Sequence, residues 1–340
     1  MSDLYIIELY KIYFEEKRNL FEQFQNEGYR VYKYAFFKKP QKDFLNKIEH
    51  LALEVCCFLK ILFKTFSFRQ KKVLCFGGHL SFFLTNRILG FLYGRRFHLY
   101  VYNFYLHAMG ERKIVKLILK FLLHSSRITL IVQSPKEVDY YKALSKKCEI
   151  MFVPYCEDVD MDVPAYNDES ERFIFTGGYS NRDYPLIVAC AAKYAELNFI
   201  VVISSLNAGD LPKDLPSNVK IYQDIERKRF YSMMKNAWAV VVPLKEDVGA
   251  SGQMLCLGAM AFGKPIIYTD VSAINYYFTN SQCGIPYSIG DIDSLNIAVD
   301  KLINMSKTEI TNMAEKAVSD YRKHFMRKDR DHAILNILTQ

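Results

Sequence analysis

Short apolar runs rich in β-branched and aromatic residues recur along this chain, and helical segments separate nearly all of them. Runs of that length, apolar on both faces and spaced by helices, specify parallel strands covered by helices on either side. The first series predicts strands at 30–37, 72–76, 98–105, 128–132 and 150–153, with helices at 43–66, 81–93, 111–124 and 138–144. Residues 4–10 read either as a first strand or as the start of a helix running to 27. From 157 to 172 the chain turns acidic and loses its apolar period, which marks a linker. A second series follows, with strands at 173–176, 199–204, 219–222, 238–242 and 265–269. Its helices are predicted at 185–196, 227–235, 252–262, 292–305 and 307–325. The expected organisation is α/β: one Rossmann-like domain over 1–156, the linker, a second over 173–325, and a tail, 326–340, whose helix packs back on the first.

Half of the 340 residues are hydrophobic, enough to fill two cores rather than one. Charge is divided unevenly. Residues 1–150 hold 26 Lys and Arg against 13 Asp and Glu, and the rest hold 19 against 24. Such a basic half predicts a surface that meets anions, or a solvated face without a partner. No nucleic-acid module accompanies it, so nucleic acid is not the expected anion. The eight cysteines show no metal-ligand spacing and sit largely in apolar runs, so free thiols in a reducing compartment are expected. The first residues lack the pattern of a signal peptide. No run is long and apolar enough to span a bilayer. The segment 51–68, which mixes Phe, Leu and Lys, suits either a membrane interface or an ordinary amphipathic helix on a sheet.

In sheets of this kind ligands bind where strands run into helices, and a helix N-terminus offers free N–H groups to phosphate. Two turns fit. In the first, the strand at 173–176 enters Gly177 and Gly178 and is followed by Arg182, whose guanidinium matches phosphate oxygens. The alternative is a tight turn whose Arg182 pairs with Asp183 or another acid. In the second, Ser251, Gly252 and Gln253 open an apolar helix, with Ser251 the expected cap and Gly252 leaving room for a diphosphate. The Gly263-Lys264-Pro265 string reads as a structural helix stop. In the first half, His79 after a Gly-Gly turn and His107 after an aromatic strand are candidate general bases.

The second half resembles the nucleotide-binding domain of GT-B glycosyltransferases, especially the large family 4. The resemblance is carried by FTGGYSNRDYPLIVACAAK, WAVVVPL, SGQMLCLGAMAFGKPII and CGIPYSIGDIDSLNIAVDKL, spanning about residues 172–305. The first half matches more loosely, through VLCFGGH, SSRITLIVQSPKEVDYY and VPYCEDV. The resemblance implies a GT-B fold, with two Rossmann-like domains facing across a cleft and the first binding the acceptor. It implies a nucleotide diphosphate sugar held by Arg182 and the backbone at Ser251, Gly252 and Gln253, with no metal and no further cofactor. Two acidic positions of the family pattern fall here on Ala250 and Gly258, leaving Glu246, Asp247 and Gln253 as substitutes. The function expected is transfer of a sugar to a lipid-linked or surface-polysaccharide acceptor, at the cytoplasmic face of an anionic membrane. A non-catalytic partner subunit and a sugar-nucleotide epimerase are the alternatives.

Overall fold

The computed structural model describes residues 3–10, 18–37, 59, 71–77, 80–93, 97–104, 113–163, 172–205, 207–279 and 283–340. The chain divides into two compact units, Met1–Pro154 with Arg330–Gln340, and Tyr155–Asp329.

Unit 1 is a six-stranded parallel sheet in the order β2-β1-β3-β4-β5-β6. Its strands are β1 (Asp3–Tyr10), β2 (Arg30–Phe37), β3 (Lys71–Phe76), β4 (Phe97–Tyr102), β5 (Ile128–Val132) and β6 (Glu149–Phe152). Its helices are α1 (Arg18–Asn26), α2 (Leu80–Tyr93), α3 (Lys113–Leu122) and α4 (Pro135–Leu144). The first residues therefore form a strand followed by a separate helix. The expected helix over 43–66 lies outside the described residues, apart from Leu59. Every residue of β5 is buried, as a central parallel strand requires. Its pleat sends Ile128, Leu130 and Val132 into one core with Leu119, Leu122 and Tyr141. Ile131 points into the opposite core with Leu4, Leu20 and Phe24.

Unit 2 is a second six-stranded parallel sheet, ordered β12-β11-β10-β7-β8-β9. Its strands are β7 (Phe173–Gly177), β8 (Asn198–Ile203), β9 (Val219–Gln223), β10 (Ala239–Val242), β11 (Ile266–Thr269) and β12 (Ile285–Tyr287). Its helices are α5 (Tyr184–Lys193), α6 (Arg227–Asn236), α7 (Gln253–Ala261), α8 (Ser272–Phe278), α9 (Ile292–Asn304) and α10 (Lys307–His324). Neither α8 nor β12 was anticipated. One face of the sheet packs Phe175, Val240 and Val242 against Leu255, Met260 and Tyr321. The other packs Ile174, Val201 and Val241 against Ile187, Leu295 and Val299.

The start of the expected linker is not a loose connector. Glu157 is buried, accepts hydrogen bonds from the hydroxyls of Tyr155 (2.9 Å) and Tyr231 (3.1 Å), and pairs with Arg227. Val159 and Val163 pack into the core beside it. The last helix, α11 (Arg327–Thr339), begins in unit 2 and passes into unit 1. There Ile334, Leu335, Ile337 and Leu338 close the core around Leu4, Ile6 and Phe24. The Tyr29 hydroxyl (3.1 Å) and the Lys72 ammonium both donate to the Leu338 carbonyl, placing a cation at the C-terminal end of the helix dipole. No described helix is long and apolar enough to cross a membrane.

Candidate donor site in the second unit

Strand order locates the site before any side chain is considered. From β7 the chain proceeds outward through β8 and β9, then returns to place β10 on the other side of β7 and continues to β11 and β12. The direction of winding thus reverses between β7 and β10. A crevice opens at the carboxyl ends of such a pair, because the two following loops leave in opposite directions. β7 ends at Gly177 and its loop carries Gly178 and Arg182; the loop after β10 carries Glu246, Ser251 and Gly252 and leads into Gln253 of α7.

The two loops are stitched together. Arg182 and Leu244 form an antiparallel bridge. The Asp183 N–H donates to the Pro243 carbonyl (3.2 Å) and the Lys245 N–H to that of Asn181 (3.3 Å). Asn181, with φ 56°, donates through its amide to the Glu246 carbonyl (2.7 Å) and accepts from the Glu246 N–H (3.2 Å). On the far side of the second loop, the Leu244 N–H donates to Thr269 Oγ1 (2.8 Å).

Arg182 is 6% exposed. Its Nε donates to the Gly177 carbonyl (2.9 Å) and its Nη1 to that of Ser180 (2.5 Å), so the side chain curls over its own loop. Burial pulls its proton affinity below that of an ordinary arginine. Asp183 does not pair with it, being the cap of α5 and accepting from the Leu186 N–H (3.2 Å). Among the described residues no carboxylate forms an ion pair with Arg182. The guanidinium lies where a side chain of Gly178 would be: a Cβ there would come within 2.6 Å of Nη2, and φ is +129°. Gly178 therefore makes room for the arginine. Its carbonyl is fixed by the Tyr184 hydroxyl and by the Asn207 amide (3.2 Å).

The second loop departs from expectation in two ways. Gly252, not Ser251, occupies the cap position of α7, in a left-handed conformation with φ 83°. A Cβ on Gly252 would approach Val242 Cγ1 to 2.9 Å and Ile274 Cδ1 to 3.0 Å, so packing within the protein already requires glycine there. Ser251 is buried, and its hydroxyl has no partner among the described residues. A buried hydroxyl without a partner costs about 1–3 kcal/mol, which a bound acceptor removes. Gln253 is buried at the first position of α7 and engaged with its neighbours.

The acidic substitutes part company. Asp247 accepts from the N–H (3.3 Å) and hydroxyl (3.1 Å) of Ser272 and so serves the start of α8. Glu246 is exposed, with its backbone held by Asn181. Gly258 faces α6: a Cβ there would lie 2.7 Å from Met234 Sδ and 3.1 Å from the Tyr231 ring. The space for an acidic side chain is filled by the core.

In unit 1 the winding reverses between β1 and β3. β3 runs directly into Gly77, whose φ is 85° and whose N–H donates to the Tyr102 carbonyl (2.8 Å). His79 follows two residues later. Both His79 and His107 lie outside the described residues. Asn181, Tyr184 and Asn207, which hold the first loop, were not anticipated. The one signal for them was an asparagine inside a Gly-rich turn, a residue type that tolerates positive φ.

Residues 210–320 match the family model described as Glycosyl transferases group 1. No curated protein sequence matches the chain. Among solved structures, a sucrose-phosphate synthase from Thermosynechococcus elongatus is similar at TM-score 0.70 and 14% identity, covering 100% of this chain and 99% of that one. Anabaena HepE, in complex with UDP and glucose, is similar at TM-score 0.64 and 12% identity, covering 100% of each chain. WaaG, a glycosyltransferase involved in lipopolysaccharide biosynthesis, is similar at TM-score 0.59 and 12% identity over 98% of each. The fold is that of the GT-B glycosyltransferases, and the stretch of unit 2 over residues 210–320 is the part that matches the group 1 glycosyl transferase model.

Proposed function

We propose that this chain moves a sugar from a nucleotide diphosphate sugar to a lipid-linked or surface-polysaccharide acceptor, at the cytoplasmic face of a membrane. The observation that carries the donor half of this reading is Arg182. It is a buried cation without a carboxylate partner among the described residues, set at the reversal of the unit 2 sheet and joined to the loop that opens α7. A diphosphate would supply its missing counter-charge. The N-terminus of α7 and the unpartnered Ser251 hydroxyl offer further donors to the same anion. As the sugar departs, charge grows on the diphosphate, and a preorganised guanidinium and helix dipole stabilise it without reorganising. Arg182 and α7 thereby take the part a metal would otherwise play. No cofactor beyond the donor is invoked.

We assign Arg182, Ser251, Gly252 and Gln253 to the diphosphate, with Gly177 and Gly178 shaping the loop that presents Arg182. Glu246 is the acidic side chain left to reach the ribose or the sugar. His79 and His107 stay as the candidate bases on the acceptor. The involvement of WaaG in lipopolysaccharide biosynthesis and the UDP bound to HepE support this acceptor and donor class.

The test is a thermal-shift screen against UDP, GDP, ADP, CMP and dTDP. A diphosphate at about 100 times its dissociation constant should stabilise the protein by about 2.7 kcal/mol. Arg182→Ala should abolish that shift; a shift of the same size in the variant would remove Arg182 from the site. The filled space at Gly258 favours a second reading, a partner subunit that binds nucleotide without turning it over. Binding that depends on Arg182, with neither transfer nor release of free sugar from the matching nucleotide sugar, would establish it.

A further inference from the structure

A surface helix ordinarily buries one stripe and shows water a polar one. α3 does not. Its inward face carries Leu119 and Leu122, both buried. Its outward face carries Leu117, 67% exposed, Ile118, and Phe121, 66% exposed. α2 continues that surface with Leu92 and with Phe91, which is 87% exposed. The two helices are tied at this point. Arg87 of α2 donates to the Phe121 carbonyl at the end of α3, and its guanidinium stacks over the Phe121 ring at 4.7 Å. The exposed phenylalanine is thus held outward by a bridging cation.

The charged side chains of α2 and α3 themselves are all basic. Lys113 and Lys120 are exposed on α3, Lys116 is half-buried, and Arg87 lies on α2. Between Glu54 and Glu137 the sequence holds a single acidic residue, Glu111. A second copy of the chain would set this basic face against itself and meet like-charge repulsion. An anionic bilayer meets both properties at once: its headgroups take the lysines, and its acyl boundary takes the aromatic and aliphatic side chains.

We infer that the α2–α3 face of unit 1 is a membrane-docking surface, which inserts Phe91, Leu117 and Phe121 between anionic lipid headgroups that pair with Lys113, Lys116 and Lys120. It deepens the reading of an acceptor held at a membrane, but its test needs neither donor nor acceptor.

The full chain is sedimented with vesicles of phosphatidylcholine alone, or of phosphatidylcholine with phosphatidylglycerol, at low and high salt. Binding is expected to the anionic vesicles, weakened by salt. Lys113→Ser, Lys116→Ser and Lys120→Ser together should weaken it by about a hundredfold, at about 1 kcal/mol per basic residue. Phe91→Ser, Leu117→Ser and Phe121→Ser together leave the charge unchanged and should weaken it by at least about tenfold. Lys228→Ser, Lys307→Ser and Lys323→Ser, exposed lysines of unit 2, should leave it within about threefold. Each variant must keep the wild-type melting temperature, which separates a lost surface from a lost fold. Equal binding to both vesicle types, wild-type binding by both α2–α3 triple variants, or a dimer broken by the apolar triple variant without vesicle binding would overturn the inference. A nucleotide shift without vesicle binding would sink this surface and spare the transferase; the reverse would do the opposite.

Discussion

Arg182 and Gly178 form a pair in which the glycine exists for the arginine. Sequence showed a Gly-Gly turn followed by a basic residue, and that was enough to select the turn as a candidate. It could not show that the guanidinium would fold back onto Gly178, because nothing in the spacing records which neighbour a missing Cβ makes room for. The same blindness applies to Gly252, where the neighbours are Val242 and Ile274 rather than a ligand. Gly258 is the informative contrast. Its missing side chain is replaced by Met234 and Tyr231, and Tyr231 is itself tied to the buried Glu157. Reintroducing an acid by Gly258→Glu would press a carboxylate into that core. The expected outcome is a loss of about 3–5 kcal/mol in denaturant unfolding, with no gain of transfer activity. Gly258→Ala should cost no more than about 1–3 kcal/mol, since the Met234 thioether can shift. A Gly258→Glu variant as stable as the wild type would show that room for the acid remains.

At the scale of elements, the strands β2 and β5 match their expected bounds, because each is rich in β-branched or aromatic residues and is ended by a break in pattern. α8 and β12 were missed. α8 has seven residues, with Asn275 and Ser272 diluting its apolar stripe, and β12 has three, one of them Pro286. Segments this short carry too few residues for a period to show. Two elements carry their own tests. α7 starts from a left-handed glycine wedged against Val242 and Ile274, so Gly252→Ala should destabilise unit 2 by about 1–3 kcal/mol in urea melts. The first turn of α4 holds Glu137, whose carboxylate accepts the N–H groups of Gln133 and Ser134, both at 3.1 Å. Burial outweighs those two donors and pushes the carboxyl up to about 7 from 4.5. The folded state then holds its proton more tightly than the unfolded chain does. Stability from this group is present below about pH 4.5 and is lost as pH rises through about 7, an effect on the order of 3 kcal/mol. Glu137→Gln should flatten that decline, read as the difference between wild-type and variant urea melts across the window. Parallel pH profiles would show that Glu137 titrates as it does in the unfolded chain.

For the molecule as a whole, the two-sheet α/β organisation was legible because the apolar alternation repeats on both sides of one acidic stretch. Sequence put a last helix over the tail, packed against the first domain, and α11 runs into unit 1 from Arg330. The depth of its burial was not legible there, since α11 has no clean apolar stripe in sequence. Ile334, Leu335, Ile337 and Leu338 belong to the same core as Leu4, Ile6, Leu20 and Phe24. Burying each is worth about 1.5–3 kcal/mol, so the four together are comparable with the whole stability of an ordinary domain. Deleting Arg330–Gln340 should strip amide-exchange protection from β1 and α1 while leaving β7 through β12 protected. Unchanged protection in β1 would mean that the sheet of unit 1 does not need this helix.

The first unit is thus assembled from two stretches of polypeptide, a sheet and the helix that closes its core, with an entire second sheet translated between them. At roughly 5–20 residues per second, the interval Tyr155–Asp329 leaves the greasy underside of the first sheet bare for roughly ten to thirty seconds. Until α11 emerges, that apolar face is open to aggregation or to a chaperone.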